Sequence, residues 1–473
     1  MTDDTRFYID GAWTDRADAA RIAVRNPYSE EVIGHVAAGT AADVDQAVAA
    51  ARRAFDSFSR TSVADRLALL TRIKDLLEER SEQFAQAIVA EMGAAISFAR
   101  AGQCHFGIEH VRVAIDALRD FAFETETHGI FVRKEPIGVV AAITPWNWPL
   151  YQITAKVAPA LAAGCTVVLK PSELSPFTAL LFAEVMHDAG TPPGVFNLVN
   201  GTGEVVGSAM SGHPDVDLVS FTGSTRAGVL VAQNAAATIK RVVQELGGKS
   251  PNVFLPDADF AGAIPKGVLG AMRNVGQSCA APTRMVVPRT RLAEVEALAA
   301  EAAATIVVGD PLDEASVLGP LANAPQFAKV QELIQSGIDQ GAKLVSGGPG
   351  LPKGLNHGYF ARPTVFSEVT PEMRIAQEEI FGPVVCIQAD EDAEDAIRIA
   401  NATLYGLSSH VQSADQESAR RVARRIRAGQ VHINYPAWSG YAPFGGYKQS
   451  GNGREYGVFG LEEYLEMKAI LGY

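Results

Sequence analysis

The chain has 473 residues, of which 41 are Lys or Arg and 54 are Asp or Glu, so its formal net charge is −13. This length predicts two or three domains with substantial cores, and a hydrophobic content of 47% is typical of an ordinary globular protein. A surface this negative repels phosphate backbones and anionic lipids. We therefore expect neither a nucleic-acid partner nor a membrane partner.

Targeting signals and cysteine usage bear on the compartment. The first residues are acidic and have neither the basic segment nor the apolar core of a signal peptide. The four cysteines, Cys104, Cys165, Cys279 and Cys386, are far apart and form no Cys-x-x-Cys pair. The sequence contains no His-Glu-x-x-His motif and no tight histidine cluster. The sequence therefore predicts a cytoplasmic protein without disulfides and without a metal site.

The first third of the chain is rich in predicted helices. After a short strand-like opening, apolar residues recur at three- and four-residue steps, which predicts helices over 43–58, 63–92 and about 98–121. None of these helices carries a convincing polar constellation. Their apolar faces are therefore expected to form core.

From residue 130 onward, predicted strands and helices alternate. A strand that alternates in polarity covers 130–134, and apolar strands are predicted over 137–143, 166–169, 195–199 and 218–221, with helices over about 150–162, over 175–189 and after Gly203. This alternation predicts a parallel sheet with right-handed crossovers. A second α/β unit is expected beyond about residue 245, with strands at 284–287 and 384–389 and helices at 261–274, 291–306, 326–340 and about 394–400.

Polar or glycine-rich segments follow the predicted strands, at the end of a parallel sheet where ligands bind. These segments are 145–147, 170–173, 200–203 and 222–225. Ser224 is predicted to cap a helix whose first backbone amides could bind a phosphate. An ordinary capped turn explains the same residues equally well.

Three single residues could carry chemistry, and each has a plainer explanation. Cys279 lies among small residues, which fits either an inert buried thiol or an accessible nucleophile. Glu245 stands near two glycines and could be a surface carboxylate. Asn147 lies between two tryptophans and could be a turn residue. Residue types alone leave these alternatives open.

Seven motifs occur together in one order along the chain. They are Pro145-Trp-Asn-Trp-Pro149, Lys170-Pro-Ser-Glu173, Phe221-Thr-Gly-Ser-Thr225, Glu245-Leu-Gly-Gly248, Gly276-Gln-Ser-Cys279, Glu378-Glu-Ile-Phe-Gly-Pro383 and Pro443-Phe-Gly-Gly-Tyr-Lys-Gln-Ser-Gly451. This series resembles the NAD(P)-dependent aldehyde dehydrogenase superfamily over nearly the whole chain. The conjunction of the motifs is far more specific than any one of them.

The resemblance implies an α/β fold with a Rossmann-like parallel-sheet cofactor domain, a second α/β catalytic domain and a small β oligomerisation arm. The implied boundaries are 1–120 and 138–246 for the NAD-binding domain, 247–450 for the catalytic domain, and 121–137 with 451–473 for the arm and tail. The arm and tail also imply a homodimer or a homotetramer.

Roles for catalytic residues follow from the resemblance as well. Cys279 would attack the aldehyde carbonyl to form a thiohemiacetal, and the Asn147 amide would stabilise the oxyanion. Glu245 would be the base for hydrolysis of the thioester that follows hydride transfer to the nicotinamide. Lys156 and Glu455 match positions linked to cysteine activation and proton relay.

The implied cofactor is NAD. Its contacts would be Trp146, Lys170, Ser172, Glu173, Gly203, Phe221, Thr222, Gly223, Ser224, Leu246, Glu379 and Phe381. A carboxylate at Glu173 would accept hydrogen bonds from a free ribose 2′-hydroxyl and repel a 2′-phosphate, which favours NAD. The nearby Lys170 leaves NADP use open.

The implied substrate tunnel is lined by Trp148, Gln152, Ala155, Ser278 and Trp438. Because two of these residues are aromatic and none is cationic, we expect a neutral aliphatic or aromatic aldehyde as substrate. Two other classes of protein stay open at this point. One is a cofactor-independent esterase that uses the same Cys279, and the other is a non-catalytic protein that retains the fold.

Overall fold

The computed structural model describes residues 3–473. Its α-helices, in chain order, are α1 (Ala41–Phe58), α2 (Val63–Glu79), α3 (Ser81–Met92), α4 (Ile96–Phe98), α5 (His105–Arg119), α6 (Pro149–Ala163), α7 (Pro176–Asp188), α8 (Ser208–Gly212), α9 (Thr225–Ala235), α10 (Phe260–Met272), α11 (Leu292–Ala304), α12 (Ala324–Asp339), α13 (Arg374–Gln377), α14 (Ala393–Asn401), α15 (Gln416–Ala423) and α16 (Gly457–Glu462).

The strands of the same residues form four sheets. They are β1 (Arg6–Ile9), β2 (Ala12–Asp15), β3 (Arg21–Arg25), β4 (Val32–Ala37), β5 (Glu124–Thr127), β6 (Ile130–Pro136), β7 (Val139–Ile143), β8 (Thr166–Lys170), β9 (Phe196–Leu198), β10 (Leu218–Thr222), β11 (Arg241–Glu245), β12 (Pro251–Phe254), β13 (Arg284–Pro288), β14 (Lys343–Ser346), β15 (Thr364–Ser367), β16 (Val384–Asp390), β17 (His410–Gln412), β18 (His432–Ile433), β19 (Gly451–Asn452) and β20 (Leu465–Ile470).

The largest sheet has eight strands in the order β19-β11-β10-β7-β8-β9-β1-β2. Strands β7 to β11 run parallel, and antiparallel strands close both edges. Strands β7, β8 and β10 are buried along their whole length, which explains their nearly continuous apolar sequence. The chain order reverses at β7, because β8 and β9 lie on one side of it and β10 and β11 on the other. Such a switch point opens a crevice at the carboxyl ends of the strands.

A second sheet of seven strands has the order β14-β15-β16-β13-β12-β17-β18 and is parallel except for β14. Apolar residues of α10, α11 and α12 cover one face of this sheet. Helices α14 and α15 cover the other face. The sheet is therefore buried on both sides, as expected for a parallel α/β unit.

Two small antiparallel sheets complete the fold. Strand β20, near the C-terminus, pairs with β6, which pairs in turn with β5. Strands β3 and β4 form a separate hairpin. Before the chain reaches β20, β19 pairs with β11 at the edge of the largest sheet. No helix within residues 3–473 has both the length and the apolar character needed to cross a bilayer.

The predicted alternation of strands and helices is confirmed, and two predicted helices need correction. The single helix expected over 63–92 is two helices, because Arg80 leaves the helical conformation between α2 and α3. The helix expected over 98–121 begins with a π-helical turn at Ala99–Cys104, and α5 follows it. A β-carbon at Gly102 would collide with the ring of Phe98, so glycine allows the tight packing of this turn.

Candidate active site

A cavity of about 180 Å³ lies at the switch point of the largest sheet. Its walls come from the segments after β7, β10 and β11 and from the second α/β unit. The predicted site residues that line it are Trp146, Asn147, Thr222, Gly223, Ser224, Leu246, Cys279, Glu379 and Phe381. The fold thus brings together residues from five of the seven sequence motifs.

The segment that carries Cys279 follows α10 through a strained turn. Asn274 and Val275 both adopt left-handed backbone conformations, with φ of 56° and 58°. This conformation is costly for a β-branched residue such as Val275. A β-carbon at Gly276 would collide with the carbonyl oxygen of Gly382. The turn therefore packs directly against the 378–383 motif and fixes the position of the cysteine.

The Cys279 thiol is half-buried and packs beside Tyr151, Phe444 and Tyr456. Burial raises the pKa of this thiol, and the carboxylates of Glu379 and Glu245 raise it further. The thiol is therefore protonated in this arrangement. A base has to remove its proton before the sulfur can attack a carbonyl.

Glu245, the last residue of β11, is buried, and its side chain has no hydrogen-bond partner among residues 3–473. Burial raises the pKa of this carboxyl well above its usual value, and the charge of Glu455 adds to the effect. Gly445 leaves space for the group, since a β-carbon there would lie 2.8 Å from Oε1 of Glu245. A carboxyl group whose pKa is raised in this way accepts a proton more readily than an exposed carboxylate does.

Lys156 and Glu455 form a buried ion pair, with Nζ of Lys156 2.6 Å from Oε1 of Glu455. Lys156 lies on α6, whereas Glu455 precedes α16, so the pair connects two distant parts of the chain. The second carboxylate oxygen of Glu455 has no hydrogen-bond partner in the described part of the chain. The structure thus brings together Lys156, Glu455 and Glu245 as an interacting group of buried charges.

Asn147 follows β7 and is buried, and its Nδ2 donates a hydrogen bond to the backbone carbonyl of Gln277 at 2.9 Å. This bond connects the segment after β7 to the segment that carries Cys279. Asn147 and Cys279 line the same cavity. The amide has a second N–H that this bond does not use.

Several groups in the cavity fit a dinucleotide. Ser224 caps α9, since its Oγ accepts a hydrogen bond from the backbone N–H of Ala227 at 3.3 Å, which confirms the predicted cap. Glu379 accepts a hydrogen bond from the backbone N–H of Gly248 at 2.8 Å. The rings of Trp146 and Phe381 meet edge to face at 5.5 Å. A capped helix start suits a phosphate, the carboxylate suits ribose hydroxyls, and the two rings suit a flat heterocycle.

The remaining predicted cofactor residues lie outside this cavity. They are Lys170, Ser172, Glu173, Gly203 and Phe221. Nζ of Lys170 donates to the carbonyl of Pro171 at 2.8 Å and to Oε2 of Glu173 at 3.1 Å. Burial lowers the pKa of this lysine. The Phe221 ring fills the space where a β-carbon at Gly223 would lie. Lys170 is the last residue of β8, the strand next to β7, and Glu173 follows it, so the two form a polar patch at the same end of the sheet.

Four residues that line the cavity were not predicted as site residues. Pro145 and Gly247 lie inside the sequence motifs, whereas Gln326 and Lys329 lie in none of them. Nε2 of Gln326 donates to the carbonyls of Ile380 and Phe381 at 3.1 and 2.8 Å, so it holds the segment next to Glu379. Gln326 and Lys329 are three positions apart on α12, which places them on one face of the helix. Their pattern resembles an ordinary solvated helix face, so the sequence offered no signal for them.

Aromatic side chains surround Cys279 and the predicted substrate residues. Nε1 of Trp148 donates to Oγ of Ser278 at 2.9 Å, and Trp148 lies 5.2 Å from Tyr151. Trp438, which is 36% exposed, packs on His110 at 5.6 Å. The other two predicted residues, Gln152 and Ala155, are buried. Oε1 of Gln152 has no partner within residues 3–473, and Ala155 packs in the same apolar cluster as Cys279.

His110, Tyr151 and Tyr456 belong to this aromatic cluster but were not predicted. The His110 ring lies 4.3 Å from each tyrosine ring, and the two tyrosine hydroxyls are hydrogen-bonded to each other. Burial lowers the pKa of His110 to about 3, so the ring is neutral. In sequence, His110 is one apolar-face position of α5 and carries no functional signal. Within residues 3–473, no set of three or more His, Cys, Asp or Glu side chains is arranged to hold a metal ion.

Comparison with known proteins identifies the family. Residues 13–470 match the model of the aldehyde dehydrogenase family. The chain belongs to the aldehyde dehydrogenase family. It is 54% identical over 474 residues to a protein from a Pseudomonas species named 3-succinoylsemialdehyde-pyridine dehydrogenase, a match that covers 100% of this chain and 99% of that protein. The family and the enzyme class predicted from the seven motifs are thus confirmed.

Solved structures of the family have the same fold. A Cys-to-Ala mutant of aldehyde dehydrogenase C from Pseudomonas syringae, in complex with NAD+ and octanal, is 65% identical with a TM-score of 0.98 and covers 99% of this chain and 96% of its own. An indole-3-acetaldehyde dehydrogenase mutant from the same species, in complex with NAD+ and IAA, is 39% identical with a TM-score of 0.96 over 99% and 97%. The predicted α/β fold class is confirmed.

Proposed function

We propose that this aldehyde dehydrogenase oxidises a neutral aliphatic or aromatic aldehyde to the carboxylate with NAD, through covalent intermediates on Cys279. One observation carries the proposal. Cys279 and Asn147 line a single cavity, and the buried carboxylate of Glu245 is close enough to raise the pKa of the thiol. A nucleophile, an oxyanion donor and a base are therefore available together.

The first step forms a carbon–sulfur bond. A base takes the proton of the Cys279 thiol, and the thiolate attacks the aldehyde carbon. The carbonyl oxygen becomes an oxyanion, which accepts a hydrogen bond from the second N–H of the Asn147 amide. Loss of one oxyanion donor typically costs about 3 kcal/mol of transition-state stabilisation. The chemistry that bound NAD supplies is acceptance of the hydride from this adduct.

The second step releases the acid from the thioester. Glu245 in its carboxylate form takes a proton from water, and the water oxygen attacks the thioester carbon. The carbon–sulfur bond then breaks, and the Cys279 thiolate is the leaving group. Glu455, which is paired with Lys156, lies close enough to Glu245 to influence its pKa, so these two residues are the proposed relay for the released proton.

The proposed cofactor contacts are Trp146, Lys170, Ser172, Glu173, Gly203, Phe221, Thr222, Gly223, Ser224, Leu246, Glu379 and Phe381. Glu173 supports NAD rather than NADP, because a ribose 2′-phosphate beside this carboxylate would be repelled. Lys170 already donates to Glu173 at 3.1 Å, which leaves less of its charge for a phosphate. The NAD+ complexes of similar structures also support this choice.

The proposed substrate class rests on the cluster of Trp148, Tyr151, Trp438, Tyr456 and the neutral His110, whose own side chains offer no cation to a distal carboxylate. The octanal complex of the Pseudomonas syringae enzyme supports an uncharged aldehyde. The pyridine-bearing semialdehyde in the name of the Pseudomonas relative supports room for a ring.

We also propose that the protein is a homodimer or homotetramer in the cytoplasm. The proposed domains are an NAD-binding domain of 1–120 and 138–246, a catalytic domain of 247–450, and an arm and tail of 121–137 and 451–473. The small sheet of β5, β6 and β20 supports association between subunits. Met467 of β20 and Leu471, which directly follows β20, are 75% and 77% exposed. Apolar residues this exposed commonly mark interfaces.

A panel of aldehydes tests the proposed function. We expect octanal and benzaldehyde to be oxidised with a kcat/KM at least about tenfold above that of succinic semialdehyde. The reason is that the distal carboxylate of succinic semialdehyde would have no cationic partner among these aromatic residues. NADH and carboxylate should form one for one, and NAD should be preferred to NADP. Equal kcat/KM for succinic semialdehyde contradicts the substrate class. Hydrolysis of an activated ester without any nicotinamide, together with no NADH from any aldehyde of the panel, would identify an esterase instead.

A further inference from the structure

The backbone carbonyl of Asn147 accepts two hydrogen bonds from buried side-chain amides. Nε2 of Gln103 donates to it at 3.0 Å, and Nδ2 of Asn274 donates to it at 2.9 Å. Gln103 belongs to the π-helical turn before α5, and Asn274 belongs to the strained turn after α10. Three segments that are far apart in sequence therefore meet at one carbonyl oxygen.

The same amides are also linked to each other and to the segment before Cys279. Nε2 of Gln103 lies 3.1 Å from Oδ1 of Asn274. Nδ2 of Asn274 also donates to the Gln277 carbonyl at 3.2 Å, the oxygen that accepts the Asn147 amide. Oε1 of Gln277 accepts the backbone N–H of Ala322 at 3.0 Å. Gln103, Asn147, Asn274 and Gln277 are all buried and form one connected network of amides.

This network determines where the Asn147 amide points. One of its two N–H groups is held by the Gln277 carbonyl, and the backbone of Asn147 is held by the two donors at its own carbonyl. The second N–H is thereby fixed in direction before any substrate binds. A hydrogen-bond donor that is fixed in advance stabilises an oxyanion without reorganisation during the reaction.

We propose that Gln103 and Asn274 are positioning residues, which orient the Asn147 amide through the Asn147 and Gln277 carbonyls. The inference rests on the proposed role of Asn147 as oxyanion donor. Neither residue needs to touch the substrate. The left-handed backbone of Asn274 suits an asparagine, which adopts this conformation more readily than most residues, so one side chain serves both the turn and the network.

A double-mutant cycle distinguishes positioning from a general structural role. Gln103→Met removes both polar atoms at nearly the same length, and it is made in the wild-type and in the Asn147→Ala background. The rate of NADH formation with octanal is measured in a single turnover at saturating NAD. We expect about a tenfold loss in the wild-type background, the effect of one lost hydrogen bond, and less than about a twofold further loss in Asn147→Ala.

The matched control is Gln388→Met. Gln388 is also buried, but it lies on β16, and neither polar atom has a partner within the described residues. This variant should keep the wild-type rate. Asn274→Gly is a second variant, because glycine retains the left-handed backbone and removes only the amide. It should show the same non-additivity with Asn147→Ala, and NAD affinity should stay within about twofold of the wild-type value.

The outcomes separate this inference from the function on which it rests. Equal losses in both backgrounds overturn the positioning role and leave the role of Asn147 intact. A wild-type rate in Asn147→Ala overturns the oxyanion assignment itself, and the positioning role with it. Losses confined to the wild-type background support the positioning role.

Discussion

Glu245 lies buried beside a second carboxylate, which gives the proposed base an unusual dependence on pH. Its raised pKa means that the active carboxylate form is populated only at a pH well above 4.5. We therefore predict that hydrolysis of the acyl-enzyme accelerates as the pH rises through this raised value. The deacylation rate is measured after a burst of NADH between pH 5 and 9, and its inflection should lie above the ordinary carboxyl value of 4.5.

Glu245→Gln is the control for this prediction. It should deacylate at least about 100-fold more slowly, because a general base contributes this much. It should also show no inflection from this residue. An unchanged pH profile in Glu245→Gln would assign the base to another group.

The ion pair of Lys156 and Glu455 provides a prediction on stability. Removal of one partner leaves an uncompensated buried charge, so Lys156→Met should lower the free energy of unfolding by about 3–5 kcal/mol at pH 8. The double variant Lys156→Met/Glu455→Leu should recover most of this loss, because it removes both charges. Urea unfolding measures both effects. A double variant that is less stable than the single one would contradict this account.

At the scale of elements, the loop after β11 approaches the segment that carries Cys279 so closely that only glycine fits at position 248. A β-carbon at Gly248 would collide with the carbonyl oxygen of Cys279. Gly248→Ala should therefore displace Cys279 and lower kcat by at least about 100-fold, as misplacement by about 1 Å does in other enzymes. Gly270→Ala is the control and should keep full activity, because a β-carbon at this position of α10 would point into open space. Full activity in Gly248→Ala would show that the loop adapts.

The elements of the largest sheet could be predicted because burial on both faces leaves a strong sequence signal. Strands β7, β8 and β10 are buried and mostly apolar, and the polar residues after them identified one end of the sheet as the candidate site. The break between α2 and α3 could not be predicted, because Arg80 is neither glycine nor proline and both helices continue one apolar pattern. Strands such as β17 and β18 are too short for an alternation of polar and apolar residues to be recognised in the sequence.

At the scale of the whole molecule, the residues that could not be predicted are those whose role depends on distant neighbours. Cys279, Asn147 and Glu245 lie in motifs that a sequence resemblance can identify. Gln103 lies in no motif and contacts Asn147 and Asn274 only after folding. His110 likewise looks like one more residue of a helix that packs on the core. Long-range convergence of this kind leaves no local pattern in the sequence.

The pH dependence of overall stability provides a prediction at this scale. Burial, together with the charge of His432, lowers the pKa of His410 from 6.5 to about 3. Between these values the unfolded chain binds more protons at this position than the folded chain does, so the free energy of unfolding falls as the pH is lowered below 6.5. His410→Phe removes this titration. The stability of the wild type relative to this variant should therefore decrease by up to about 1.4 kcal/mol per pH unit between pH 6 and 4.

Urea unfolding of both proteins across that range tests the prediction. A difference in stability that does not depend on pH would show that His410 becomes protonated equally well in the folded protein. Because His410 lies on β17 of the second sheet, the same variant should leave the kcat for octanal close to the wild-type value.

The central claim is that the aldehyde carbon becomes bonded to the sulfur of Cys279. The most direct test mixes Glu245→Gln enzyme with octanal and NAD, quenches the reaction in acid, and identifies the modified peptide by mass spectrometry. We predict an octanoyl thioester on the peptide that contains Cys279, formed together with one equivalent of NADH. NADH formation without any acyl group on Cys279, or with the acyl group on another residue, would contradict the account.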